Sequence, residues 1–305
     1  APVGWSKDAG TDGHLTLGMK LAPGGKLSTA DFEANANGLK TKGQVRFGAD
    51  NYVQEVALSE LSLGATNMSA DWRRGASGSV EVALRGRSLE LSRVRAMLKA
   101  REDLAKANPG GPASRAQDST RFLLQLDRVV LRRGSLGSLN GKLELRDDRM
   151  LSADLGIGAG KGGTLKVAPG ARGRDVNLYV ADFGGLLRET GWLDGLAGGF
   201  LDFRGRIDDS VAAGPLTGRL KLGPYTLRKV TPRPDIGTLN TTIDALNRAG
   251  DPLQQFASLE TWVIKTGDRI ELKDGHTANH SIGLTTAGII DLAGDPMWIT
   301  LAPEA

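Results

Sequence analysis

Residues 14–22 read HLTLGMKLA, and the alternation inside this stretch decides the fold. In an extended chain Leu15, Leu17, Met19 and Leu21 point to one side, and Thr16, Gly18 and Lys20 point to the other. That period of two belongs to a strand with one face buried. The pattern recurs along most of the chain, in GQVRF (Val45, Phe47), SVEVAL (Val80, Val82, Leu84), RFLLQL (Phe122, Leu124, Leu126) and GKLELR (Leu143, Leu145). It continues in LSADLGI (Leu151, Ala153, Leu155, Ile157), FLDFRGRI (Leu201, Phe203, Ile207), GRLKL (Leu220, Leu222) and GIIDL (Ile290, Leu292).

Between these runs lie short turn signals: DG at 12–13, PGG at 23–25, DD at 147–148 and GD at 267–268. Turns this short join antiparallel neighbours, because a parallel pair needs a long crossover. A mainly β fold follows, in which one apolar face repeats strand after strand and must be covered. A second sheet covers it in a sandwich or barrel. In the other arrangement, a long curved antiparallel sheet forms a β-gutter whose aliphatic inner face suits acyl chains. Periodicity by itself weighs the two equally.

Composition narrows the class. Of 305 residues, 40% are apolar and 24% charged, the balance of a folded protein. Aromatics are only 5% while Gly reaches 42, so turns are many and the apolar faces are aliphatic. The net charge of +4 leans toward anionic partners such as membrane headgroups. No RNP-like aromatic motif or recognition-helix pattern accompanies the basic residues, so nucleic acid is not an expected partner. With no cysteine, the chain has no disulfide, thiolate zinc site or cysteine nucleophile. No run approaches the about 20 apolar residues of a membrane-spanning helix. APVGWSKDAG at the start has no signal-peptide pattern, and it reads as a fragment whose targeting segment has been cut off.

Three segments depart from the strand pattern. In LELSRVRAMLKAREDLAKAN, Leu91, Val94 and Leu98 form a helical stripe after a Ser92 cap, flanked by Arg93, Arg95, Lys99, Arg101 and Lys106. Such a basic helix suits an anionic membrane surface and a place against the sheet equally. The second segment is FGGLLRETGWL, with Phe183, Leu186 and Leu187 on one side. The third is DIGTLNTTIDALNRAG, with Ile236, Leu239, Ile243 and Leu246 at helical spacing and Gly250 as its stop. Residues 107–120, rich in Pro, Gly and small polar residues, read as a loop or linker between an N-terminal β-rich segment (1–106, with the basic helix near 91–106) and a second one (121–305, with two short helices).

The chemical motifs fail one by one. GIGAGKGGT at 156–164 has Gly162 where a phosphate loop needs Ser or Thr and Leu155 where it needs its first Gly, so it reads as a turn. His276 and His280 are four apart but sit in a turn followed by a strand, without a carboxylate partner, so no metal site is expected. Asp147/Asp148 and Asp208/Asp209 are adjacent pairs whose side chains diverge on a strand, which rules out a glycosidase pair and reads as solvated turns. With no GxSxG motif either, a non-enzyme without cofactor is expected.

VADFGGLLRETGWLDGLAGGFLDFRGRIDDS, continuing through PLTGRLKLGPYTLRKV, resembles the C-terminal region of the AsmA-like superfamily, in particular its YhdP-type branch. The matching features are Asp182 and Gly184 before Leu186 and Leu187, the Gly198-Gly199 pair, and the P-L-x-G-x-L element from Pro215 to Leu220. LKDGHTANHSIGLTTAGIIDLAGD is similar to the closing strand pair of that family, through Gly283, Leu284, Thr285, Gly288, Ile290, Asp291 and Leu292. VALRGRSLELSRV is similar to its R-G-x-S-L-D segment, with Glu90 in place of Asp. The chain ends TLAPEA where the family has a Val-Pro-Ala-Tyr-like strand.

The resemblance implies a bacterial envelope protein held in the inner membrane by an N-terminal anchor absent here. Its periplasmic β-gutter would carry phospholipid toward the outer membrane, without catalysis. Leu124, Leu126, Leu143, Leu145, Leu155, Leu201, Phe203, Ile207, Leu220, Leu222 and Ile290 would then line the groove, with Asp202, Arg204 and Arg206 in water. Phe183 to Leu196 would be a helical plug presenting Phe183, Leu186, Leu187 and Trp192, after which Gly198-Gly199 turns the chain into the next strand. The alternative is a scaffold that assists outer-membrane or periplasmic proteins by pairing its sheet edges with client strands.

Overall fold

The computed structural model describes residues 10, 12–75, 78–92, 119–146, 149–158, 162–211, 214–228, 253–278, 283–291 and 297–303. The chain is mainly β, an open sheet architecture with short helical structure at its margins. It divides into two compact units, Ala1–Leu155 and Gly156–Ala305.

In the first unit β1 (Gly13–Leu21), β2 (Leu27–Ala36), β3 (Leu39–Phe47), β4 (Val53–Leu63), β5 (Thr66–Arg74) and β6 (Val80–Glu90) form an antiparallel meander, each strand paired with the next. The meander follows from short turns in which Asn37, Gly38 and Gly64 supply positive φ. One apolar row crosses it in register: Met19, Ala30, Val45, Val56, Trp72 and Val82. A row of opposite character lies on the other face, Lys20, Thr29, Arg46, Glu55, Arg73 and Glu81, with the ion pairs Arg46–Glu55 (3.3 Å) and Arg73–Glu55 (3.1 Å).

The meander ends at β6. Its next neighbour, β7 (Thr120–Leu126), runs parallel to it, with Val80 opposite Thr120 and Gly86 opposite Leu126. Turn spacing points to antiparallel pairs throughout, and this pair is the exception because the chain between β6 and β7 is long enough to carry it back to the starting end. Thr120, read from sequence as loop, therefore opens a strand, and strands from either side of the loop candidate pair with each other. β8 (Val129–Val130) also runs parallel to β6, β9 (Ser135–Leu136) pairs with β8, and β10 (Leu139–Arg146) returns antiparallel to β7. β11 (Arg149–Ile157) follows. Leu91 and Ser92 are already helical, and the Ser92 hydroxyl donates to the Glu90 carboxylate at 2.9 Å. The rest of that helix candidate, most of the 107–120 loop, and the whole of the candidate from Asp235 to Gly250 lie outside the described residues.

In the second unit β12 (Gly163–Gly170), β13 (Gly173–Val180), β15 (Leu201–Ile207), β16 (Leu216–Leu222), β19 (Ser258–Thr266), β20 (Arg269–Ala278), β21 (Gly283–Asp291) and β22 (Met297–Pro303) are antiparallel neighbours in that order. The helix α1 (Phe183–Glu189) and a small sheet of β14 (Leu196–Gly198), β17 (Tyr225–Arg228) and β18 (Leu253–Phe256) are inserted between these strands. Register shifts at Lys42/Gly43, Leu58/Leu61, Glu260/Trp262 and Leu272/Gly275 mark bulges, which bend strands and increase their twist.

Candidate functional site

The alternation read from sequence becomes continuous apolar rows in the second unit. Val180, Leu201, Leu222 and Leu259 stand side by side, and Leu178, Phe203 and Leu220 form the next row. A third row holds Val167, Val176, Gly205, Gly218 and Val263. The fourth, at the far end of the strands, holds Arg174, Ile207, Leu216, Lys265, Ile270 and Ile290. The reverse face is polar, with Arg206–Asp175 (2.8 Å), Lys221–Glu260 (3.1 Å) and Arg219–Glu260 (3.2 Å) bridging neighbouring strands. The Lys221 hydrogen bond and charge, helped by Arg219, hold the Glu260 carboxyl below the ordinary range.

Phe203 explains the two glycines beside it. A Cβ on Gly205 or Gly218 would come within 2.6 Å or 2.7 Å of the Phe203 ring edge, so the ring lies down over both positions and fills what they leave empty. Phe203 is thereby buried by its own sheet.

One end of this face is closed by α1 and the small sheet. Leu196, Leu222, Tyr225 and Phe256 form a buried cluster, with Phe183, Leu193, Leu220, Leu227 and Leu259 packed around it. Tyr225 and Phe256 stack at 5.1 Å. The buried Tyr225 hydroxyl hydrogen-bonds Thr277 Oγ1 at 2.9 Å, tying the small sheet to β20. Burial pushes the Tyr225 phenol above its ordinary pKa, and the Thr277 bond offsets part of that rise.

The sequence places this cap residue by residue. The Asp182 carboxylate accepts the Gly185 amide at 2.9 Å and starts the helix. Gly184 packs where a Cβ would sit 2.6 Å from the Leu196 carbonyl, so only glycine lets α1 approach β14. The helix was expected to reach Leu196 but stops at Glu189. Gly191 adopts φ 70°. Its amide donates to Arg188 (3.1 Å), and the Trp192 amide donates to Leu187 (2.8 Å). Those two bonds close a Schellman terminus and free Leu196 for strand pairing. Gly198 and Gly199 then turn the chain, at φ 70° and 76°.

A related cap closes the first unit at one end. Leu89, Leu126 and Val129 are buried there, against Leu84, Leu136 and Leu139. Exposure rises across the strands from Leu126, at 1%, to the edge strand β1, where Leu15 is 68% and Met19 63% exposed. A depression of about 680 Å³ lies on the opposite, polar side, around Gln44 and Ala57. Its polar groups are already matched, Gln44 to Asp31 at 2.7 Å and Arg85 to Asp71 at 2.8 Å.

Of the residues expected to line a groove, Leu126, Leu155, Leu201, Phe203 and Leu222 are buried in the chain's own packing. Leu124, Leu143, Leu145, Ile207, Leu220 and Ile290 are half-buried. Of the expected plug residues, Phe183 joins the cap cluster, Leu186 and Leu187 are half-buried, and Trp192 points outward at 47% exposure. Tyr225 and Phe256 escape the sequence reading because their strands of four residues are too short to show a period, and Thr277 because the stretch around His276, read from sequence as a turn, is the end of the ten-residue strand β20.

His276 lies on the polar face of β20, and His280 is outside the described residues. Asp208 accepts hydrogen bonds from the Ser210 amide and hydroxyl, which lower its pKa. Asp209 is more than the solvated turn residue expected: its carboxylate receives the Arg174 guanidinium in a fork, from Nε at 3.0 Å and Nη2 at 2.5 Å. No helix among the described residues is long and apolar enough to cross a membrane. Set against family models, curated proteins and solved structures, the chain matches none of them.

Proposed function

We propose that this chain is a non-catalytic periplasmic segment of an envelope protein that holds phospholipid acyl chains against the aliphatic face of its sheets, in transit between the inner and outer membranes. The supporting observation is an apolar face sealed at one end by a cap in each unit: in the first it is exposed on β1, and in the second it stays buried through Val167, Val176 and Val263 and is half-buried at Ile207, Leu216, Ile270 and Ile290 in its last row. Aliphatic rows of this kind offer attraction without direction, about 25 cal/mol for each Å² removed from water, which suits a chain that must slide. The resemblance to AsmA-like proteins supports the same reading, and in the full-length protein the segment would be held to the inner membrane.

Native mass spectrometry of the gently purified chain, with extraction of anything bound, tests this. Phospholipid adducts are expected, and Leu17→Asp with Met19→Asp lowers loading without moving the melting transition. A lipid-free mass that also resists loading from vesicles would overturn the reading. A second reading, a scaffold for client strands, is favoured by β1, which pairs only with β2 among the described strands and presents an open edge. Binding of extended peptides by a chain that takes up no lipid would select it.

A further inference from the structure

The acyl-chain face of the second unit carries one feature that aliphatic packing does not explain. Its fourth row contains two cations, Arg174 on β13 and Lys265 on β19, in register with Ile207 and Leu216 between them. This row lies at the end away from the cap. There Ile207, Leu216, Ile270 and Ile290 are half-buried, whereas Leu201 and Leu222 at the capped end are 4% and 3% exposed.

The two cations differ. Arg174 is consumed by Asp209, which neutralises it. Lys265 is half-buried, makes no ion pair among the described residues, and donates one hydrogen bond, to the Gly267 carbonyl at 2.6 Å. An ammonium has three donors, so two remain to be directed outward. A lysine whose methylene stem lies along an aliphatic surface places its charge at the margin of that surface. The basic residues paired on the reverse face, among them Arg204, Arg206, Arg219 and Lys221, show the opposite arrangement, each with a carboxylate.

Resting on the acyl-chain reading, we propose that Lys265 binds the phosphate of a phospholipid headgroup at the open margin of this face. The acyl chains lie on Ile207, Leu216 and Ile270 beside it. A lipid ester lacking phosphate fits the same aliphatic row but leaves the ammonium without its anion, so Lys265 confers selectivity for phosphorylated lipid. Arginine at this position preserves a cationic donor, and alanine does not.

The test loads the full chain from phosphatidylcholine vesicles carrying equal amounts of phosphatidylglycerol and diacylglycerol, and compares the bound lipids by mass. The native chain is expected to favour phosphatidylglycerol over diacylglycerol. Lys265→Ala reduces that preference about tenfold while still taking up diacylglycerol, and Lys265→Arg restores it. An unchanged preference in a folded Lys265→Ala chain overturns the assignment. So does inorganic phosphate binding at Lys265 without lipid, which would make the site one for the free anion. If the native chain loads no lipid at all, phosphatidylcholine included, the acyl-chain reading itself fails, a result separable from equal loading of phosphatidylglycerol and diacylglycerol, which defeats only the role of Lys265.

Discussion

Phe203 shows how a single side chain settles the character of a face. Its ring, 5% exposed, covers the two glycines that the strand pattern leaves bare. Phe203→Ala is expected to cost about 3–5 kcal/mol, read from urea unfolding, because the cavity cannot collapse onto glycines. Gly218→Val is expected to be comparably damaging, since its Cβ would meet the Gly205 Cα at 2.5 Å as well as the ring. Tyr225 carries a pH signature. Burial raises its folded-state pKa above the ordinary 10.0, so the stability gained by keeping it neutral is complete below that value and is lost as the pH climbs through the folded-state one. Urea midpoints of the native chain are expected to fall as the pH rises above about 10, and Tyr225→Phe shows less of that fall. At neutral pH the same substitution costs about 1–2 kcal/mol, because Thr277 loses its buried partner.

The helix α1 shows what an element needs beyond its own propensity. Seven residues with two glycines do not hold a helix in water. It persists because Asp182 caps it, Gly191 ends it and Gly184 brings it against β14. Asp182→Ala is expected to lower stability by about 1 kcal/mol in thermal unfolding. Gly191→Ala is expected to lower it by about 1–2 kcal/mol through left-handed strain. Asp182, Gly184 and the Gly198-Gly199 turn are legible in sequence, but the helix end at Glu189 is not. Leu193 and Leu196 continue an apolar pattern that suits either continuation or a strand, and only pairing of β14 with β17 chooses between them.

At the scale of the molecule, each unit carries an apolar sheet face that a small buried cluster seals at one end. Such a sheet depends on its edges and its polar side. The exposed ion pairs across the polar faces contribute about 0–1 kcal/mol each, so high salt is expected to shift the urea midpoint only slightly. Replacing Leu17 and Met19 on β1 with lysine is expected to leave stability within about 0.5 kcal/mol while sharply reducing binding of a hydrophobic dye. A large loss of stability instead would mean that β1 packs against something in solution.

The sequence by itself determined the strands whose apolar residues alternate, because a period of two is a local property that leucine and lysine obey wherever the strand runs without a bulge. It also determined the punctuation, since Gly and Asp act through their own backbone. Tertiary structure decided the rest. The parallel return of β7 to β6, the burial of Phe203 over Gly205 and Gly218, and the junction of Tyr225 with Thr277 all join residues distant in sequence or on different strands. The isolation of Lys265 among aliphatic neighbours is visible only once β13, β15, β16 and β19 are in register. Pairing is a long-range choice, set by which faces and edges find each other, and no local pattern encodes it.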